Sequence, residues 1–193
     1  MSETPSTLYK LSPDEEILHY MVYTADNLFM GDLISKKTIR ISTFVRTPMA
    51  PKYLVLYDAK VLSLDAKPGT RPAAFPLIHV PLASVLAMHP RPPAAEPIDY
   101  DQSEANRKFE QASLLVGPLR FDGKFRMSIR TNVTQYLDVT KEPFISLYEA
   151  TITSMVHQEM GIIQSAMITV RREGVPIAAY STTAESGVQF SKV

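Results

Sequence analysis

The sequence predicts a mainly β protein made of two tandem copies of one unit, each a short helix followed by about five strands. The stretch YLVLYDAKVLSL, from Tyr53 to Leu64, returns as FISLYEATITSM, from Phe144 to Met155, with nine of twelve places identical or similar. Other blocks recur in the same order: LFMGDLI with RFDGKFR sets Gly31 on Gly123, 92 residues on, and ISTFV with VTQYL sets Phe44 on Tyr136 at the same distance. Tyr57 and Tyr148 are 91 apart, and LIHV matches MITV 90 apart, so the spacing shrinks by single residues, as loop deletions in a duplicated chain produce. Within YLVLYDAKV, Tyr53, Val55, Tyr57, Ala59 and Val61 share one face and Leu54, Leu56, Asp58 and Lys60 the other, which is the period of a strand.

The elements follow in order. Residues 1–11 read as a flexible tail. Ser12 as N-cap, Pro13 at the first helical position and Glu15 three residues after the cap predict a short helix opening the first unit, residues 12–89. The turn TADN between ILHYMVY and LFMGDLI predicts an antiparallel hairpin. Gly31 and Gly123 interrupt strands, where a glycine marks a bulge or sharp bend such as a barrel corner needs. Residues 90–102, PRPPAAEPIDYDQ, hold four prolines between Pro90 and Pro97 and an acidic end, and read as an extended, solvated linker. Ser103 and Glu104 start a second helix, opening the second unit at 103–182, and residues 183–193 read as a C-terminal tail.

This order resembles the Sm-like small β-barrel, with YLVLYDAKV looking like that family's first motif in Leu54-Val55-Leu56 and Asp58-Ala59, and Gly31 matching the glycine of the preceding strand. The resemblance implies two tandem five-stranded barrels, each preceded by a short helix, and edge-to-edge assembly. Two departures bear on RNA binding. The family's RNA-contacting Asn is replaced by Tyr53 and Phe144, and the Arg-Gly pair of its second motif is absent, since Glu173 separates Arg172 from Gly174.

Composition narrows the function. Lys+Arg and Asp+Glu are both 20, and cutting the chain after Ala95 leaves 10 basic and 8 acidic residues before, 10 and 12 after, so neither half is a basic module of the kind that binds phosphate backbones. Without cysteine there is no disulfide, thiolate metal site or Cys nucleophile, which fits a reducing compartment. The start MSETPSTLYK has no basic segment leading into an apolar one, and no run reaches a membrane-spanning length, so a cytoplasmic protein without signal peptide or membrane span is expected.

Chemical motifs are scarce. His19, His79, His89 and His157 show no metal-ligand spacing, and His79, inside PLIHVPL, reads as a core or interface histidine. No nucleophile elbow or phosphate loop occurs, and seven glycines leave little to build one. No catalytic residue, cofactor or metal is expected. Asp58 and Glu149 are acids recurring at one repeat position; as paired carboxylates in a shared cavity they define an enzyme alternative, against the plainer reading of mid-strand acids with cross-strand partners. The leading expectation is a non-enzymatic assembly protein that meets itself or another protein through strand edges. Its candidate interface is Phe75, Leu77, Ile78, Val80, Leu82 and Val85 in the first unit and Met167, Ile168 and Val170 in the second. The alternative is single-stranded nucleic-acid binding through Lys124, Arg126, Arg130, Arg171 and Arg172, where Lys124, Arg126 and Arg130 share a strand face that lacks interleaved aromatics.

Overall fold

The computed structural model describes residues 9–67, 69–156 and 160–179; the N-terminal tail before residue 9 and the tail at 183–193 lie outside them. The chain is mainly β, in two matching sets. The first is β1 (Glu15–Tyr23), β2 (Asn27–Lys36), α1 (Ile41–Phe44), β3 (Tyr53–Ser63), β4 (Ala73–Pro81), a 3-10 turn (Leu82–Ser84) and β5 (Ala87–Pro90). The second is β6 (Arg107–Val116), β7 (Leu119–Ser128), α2 (Val133–Val139), β8 (Phe144–Ser154), β9 (Ile163–Arg171) and β10 (Ile177–Ala179). All pair antiparallel in one ten-stranded sheet, in the order β10-β6-β7-β8-β9-β5-β1-β2-β3-β4.

The expected duplication is visible strand by strand. In each set the last strand returns to the first, β5 on β1 and β10 on β6. Both second strands break register at their glycine: pairing skips from Met30 to Asp32 and from Asp122 to Lys124, so two residues of β3 or β8 face one of β2 or β7. The extra residues are Asp58 (φ 46°) and Glu149 (φ 48°), left-handed as a bulge can require. Tyr9 meets Tyr57 (centroids 5.6 Å) and Tyr100 meets Tyr148 (5.0 Å), the same contact repeated.

Three expectations are corrected. The strands do not form two separate barrels: β9 of the second set pairs with β5 of the first, making one sheet that does not close. The two opening helices are absent. Ser12 and Glu15 do form their cap-like turn, with Ser12 N–H donating to Glu15 Oε2 (2.9 Å), but Glu15 onward is strand because β1 pairs along its length with β2. The second candidate, at Ser103, is a turn before β6. Helices stand instead between the second and third strands of each set; α2 is held by a capping box in which Gln135 N–H donates to the Asn132 side chain (2.8 Å) and Asn132 N–H to the Gln135 side chain (3.1 Å).

The linker is likewise a strap, not a solvated spacer. Glu96 accepts hydrogen bonds from Tyr20 Oη and from Ser42 N–H, the latter at 3.3 Å. Asp99, its side chain 10% exposed, accepts from Arg46 (3.0 Å), Ser146 Oγ (2.7 Å) and Tyr148 Oη (2.5 Å). Arg46 follows α1 and Ser146 and Tyr148 lie on β8, so one strap carboxylate ties both halves.

The apolar faces pack as two clusters that each borrow from the other half. One combines Phe121, Phe125, Leu147 and Ile168 with Tyr23 and Leu28 of the first half; the other combines Tyr20, Leu56, Val80 and Val85 with Phe144 of the second. The β6–β7 turn docks as tightly: Gly117 (φ 56°) lies so close to Ala25 of the β1–β2 turn that a Cβ would stand 2.3 Å from its carbonyl oxygen. No described helix is long and apolar enough to cross a membrane.

At the join sits His89, 1% exposed. Tyr23 Oη lies 3.0 Å from Nε2, and Nδ1 lies 2.7 Å from Pro90 O. A carbonyl can only accept, so Nδ1 carries the proton and Nε2 accepts from Tyr23. Burial pulls the imidazole pKa down to about 4 from 6.5, more than the Pro90 contact raises it. The unfolded chain then binds the extra proton first as pH falls. The stabilisation is complete above pH 6.5 and is lost progressively toward pH 4, about 3 kcal/mol in all. Thermal melts between pH 7 and 4 should show this loss, and H89Q should flatten that part of the profile.

Candidate interaction site

Among the described residues, a sheet that does not close leaves two edge strands, here β4 and β10. β4, AAFPLIHVP, contains no charged residue. Natural edge strands are commonly blunted by charge, proline, bulges or a covering segment; among the described residues this one has Pro76 and Pro81. Ala73 to Leu77 are all exposed, with Phe75 at 42% and Leu77 at 41%, and Tyr53 of β3, opposite Pro81 at the other end of the strand, is 50% exposed. His79 is exposed too, its ring edge-on to Tyr53 at 6.4 Å, so it is no core histidine; His89 holds that place. The exposed apolar side chains Phe75 and Leu77, two residues apart on one face of β4, add apolar area to an edge that can pair with another strand.

The nine interface candidates divide. Phe75 and Leu77 are exposed and Ile78 is half-buried, all on β4. Val80, Leu82 and Val85 are buried in the cluster that holds Tyr20 and Leu56 and offer no side chain to a partner. Met167, Ile168 and Val170 are buried as well, because the edge they were expected to supply is already taken: β9 pairs with β5, Val170 opposite Ala87 and Thr169 opposite Met88.

That internal junction is short and reinforced by a residue read from sequence for another role. Arg171 N–H donates to Leu86 O (2.7 Å), its Nε to Val85 O (2.7 Å) and its Nη2 to Leu82 O. The guanidinium also covers the Phe144 ring at 4.6 Å, and desolvation lowers its pKa. Arg172 donates to Leu137 O (3.1 Å) and pairs with Glu173. Lys124 pairs with Glu149; Arg126 pairs with Glu104 (2.7 Å) and lies 4.5 Å from the Tyr100 ring centroid. Arg130 alone of the five candidates is an exposed turn residue without a described side-chain contact, so the set does not form a phosphate-facing stripe.

Asp58 and Glu149 do not share a cavity. β9, β5, β1 and β2 separate their strands, five ladder steps or about 24 Å along the sheet. Glu149 is bound to Lys124, the partner expected by the plainer reading. Asp58 lines an open cleft of about 690 Å3 with His19, Asp32, Lys60 and Arg91, in which His19 Nδ1 contacts Asp32 at 2.6 Å. Among the described residues no three His, Asp or Glu side chains gather as a metal-ligand set. No protein-family model, no curated protein and no solved structure matches this chain.

Proposed function

We propose that this chain is a non-enzymatic assembly protein that joins copies of itself or a larger complex through its open strand edges. The observation that carries the reading is β4: nine residues, uncharged, at the end of a ten-stranded sheet, with Phe75 and Leu77 exposed. The unpaired backbone groups of such an edge favour a further strand, and the exposed row adds apolar area to that pairing. A five-strand set that returns its last strand to its first supports the Sm-like resemblance as an account of each half, while the residues at Tyr53 and Phe144 leave RNA recognition out of it. We place the protein in the cytoplasm on the strength of its cysteine-free composition.

Size-exclusion chromatography with light scattering tests the reading. The chain is expected above its 21.6 kDa monomer mass, alone or with a partner from its own cell extract. A double variant, Phe75→Glu with Leu77→Glu, should return it to monomer without lowering its melting temperature, since both side chains are exposed in the monomer. A wild-type chain that stays monomeric at all concentrations, and enters no defined complex in cross-linked extract, overturns the reading.

A further inference from the structure

The two halves treat one corresponding place differently. Ile17 stands opposite Ile34 in the β1–β2 ladder, and Phe109 stands opposite Arg126 in the β6–β7 ladder. At the 92-residue spacing of Gly31 and Gly123, Ile17 corresponds to Phe109, Ile34 to Arg126 and Asp32 to Lys124. Tyr57 lies opposite Asp32 as Tyr148 lies opposite Lys124.

In the second half the place is filled from within. Phe109 packs edge-on to Tyr100 (5.7 Å) and to Tyr148 (5.8 Å). The Arg126 guanidinium lies 4.5 Å from the Tyr100 ring centroid, donates to Asp101 O (2.8 Å) and pairs with Glu104 (2.7 Å). In the first half Tyr9 and Tyr57 keep their ring contact at 5.6 Å, but two isoleucines replace the phenylalanine and the arginine. They leave a pocket of about 290 Å3 walled by Tyr9, Leu11, Ile17, Ile34 and Tyr57, with Asp32 beside them. One water's share of liquid is about 30 Å3, so the four heavy atoms of a guanidinium fit whole.

The charge next to this place is reversed as well. Lys124 of the second half is bound to Glu149, whereas Asp32 brings a carboxylate to the pocket. Its Oδ1 contacts His19 Nδ1 at 2.6 Å, and among the described residues its Oδ2 has no partner. Glu15 adds a second carboxylate nearby, accepting from Tyr9 Oη at 2.9 Å. Lys10 lies at the rim, where its exposed charge is screened by solvent.

We infer that this pocket takes the guanidinium of an arginine side chain from a partner protein, in the place that Arg126 fills in the second half. The Tyr9 ring covers the cation as Tyr100 covers Arg126. Asp32 Oδ2 supplies the carboxylate that Glu104 supplies there. Lys10 corresponds to Asp101 at the 91-residue spacing of Tyr9 and Tyr100, so its carbonyl oxygen supplies the neutral acceptor. A guanidinium suits this set better than an ammonium, because it is planar, stacks on a ring and donates two parallel bonds to a carboxylate. Tyr9 and Leu11 are each 38% exposed, so the pocket covers the end of a side chain and leaves its backbone to the partner. The inference does not rest on the edge reading, since it is read by peptide binding and not by mass.

The acetylated and amidated peptide Gly-Arg-Gly tests this, titrated into the full chain and followed by backbone amide NMR shifts. Saturating shifts should fall on Asp32 to Ile34 and on Tyr57. The same peptide with lysine for arginine should bind about three-fold more weakly or less tightly still. D32N should weaken the arginine peptide about two- to five-fold, the range of one exposed ion pair. I34R supplies a guanidinium in cis, as Arg126 does, and should abolish binding without lowering the melting temperature. If I34R does lower it, Y9A removes the covering ring from an exposed position and should cost about two- to five-fold in affinity. Free arginine binding as tightly as the peptide would assign the pocket to a small molecule and overturn the protein partner. Shifts that do not saturate, an equal response to the lysine peptide, or wild-type binding by a folded I34R overturn the site itself.

Discussion

Replacing Asp99 with alanine is expected to cost about 3–5 kcal/mol of stability, the range for removing one partner of a buried ion pair. Arg46, its side chain 17% exposed, would keep its charge with no carboxylate beside it. Ser146 and Tyr148 would lose the acceptor they share. Burial raises the Asp99 pKa, but hydrogen bonds from Tyr148 and Ser146 and the Arg46 charge outweigh it, so the net shift is downward. A depressed carboxylate stabilises the fold above its unfolded pKa, near 4, and loses that contribution as pH falls through the lower folded value. A thermal melt at pH 7 should therefore show a drop on the order of 10 °C for a chain this size. D99N, which keeps the shape but not the charge, should fall between wild type and D99A. A D99A melt within 2 °C of wild type, by contrast, would show that the strap does not hold the halves together.

Gly123→Ala should have the second large effect. A Cβ at that position would stand 2.7 Å from Leu147 Cγ and 2.9 Å from Tyr148 O, and a backbone carbonyl within a sheet has little room to retreat. Overpacking of this kind costs about 1–3 kcal/mol, and the backbone contact puts this case at the upper end. Gly31 offers an internal comparison: its nearest neighbours would lie at 3.0 Å (Tyr57 O), 3.1 Å (Leu56 Cβ) and 3.2 Å (Ala59 Cα). G31A should therefore be the milder of the two, about 1 kcal/mol, by chemical denaturation at neutral pH. An equal or inverted order would show that the closer approach at Gly123 does not set the cost.

What was legible in the sequence was whatever repeats. Gly31 and Gly123, Tyr57 and Tyr148, and Asp58 and Glu149 all fall at matching places in matching strands, because a duplicated chain keeps the residues its bulges need. Short-range signals were less dependable. The capping pattern at Ser12 makes its turn and then yields to strand pairing, since β1 gains a partner along nine residues that a lone helical turn cannot match. The same pattern at Asn132 and Gln135 does start a helix, and it stood in the sequence unread. Nothing local marks Asp99 as buried: its partners are 53, 47 and 49 residues away. For the candidate interface, Phe75 and Leu77 are exposed on β4, whereas Met167, Ile168 and Val170 are buried on a strand already paired with β5, and strand order cannot be seen from alternation.

The pairing of β9 with β5 also has a consequence for how the molecule responds to dilution. Two separate five-strand units meeting at that junction would come apart as their concentration fell. The strap from Arg91 to Ser103 keeps them covalently joined, so each sees the other at an effective concentration fixed by tether length rather than by the cell. A contact only a few residues long can then be permanent inside the chain.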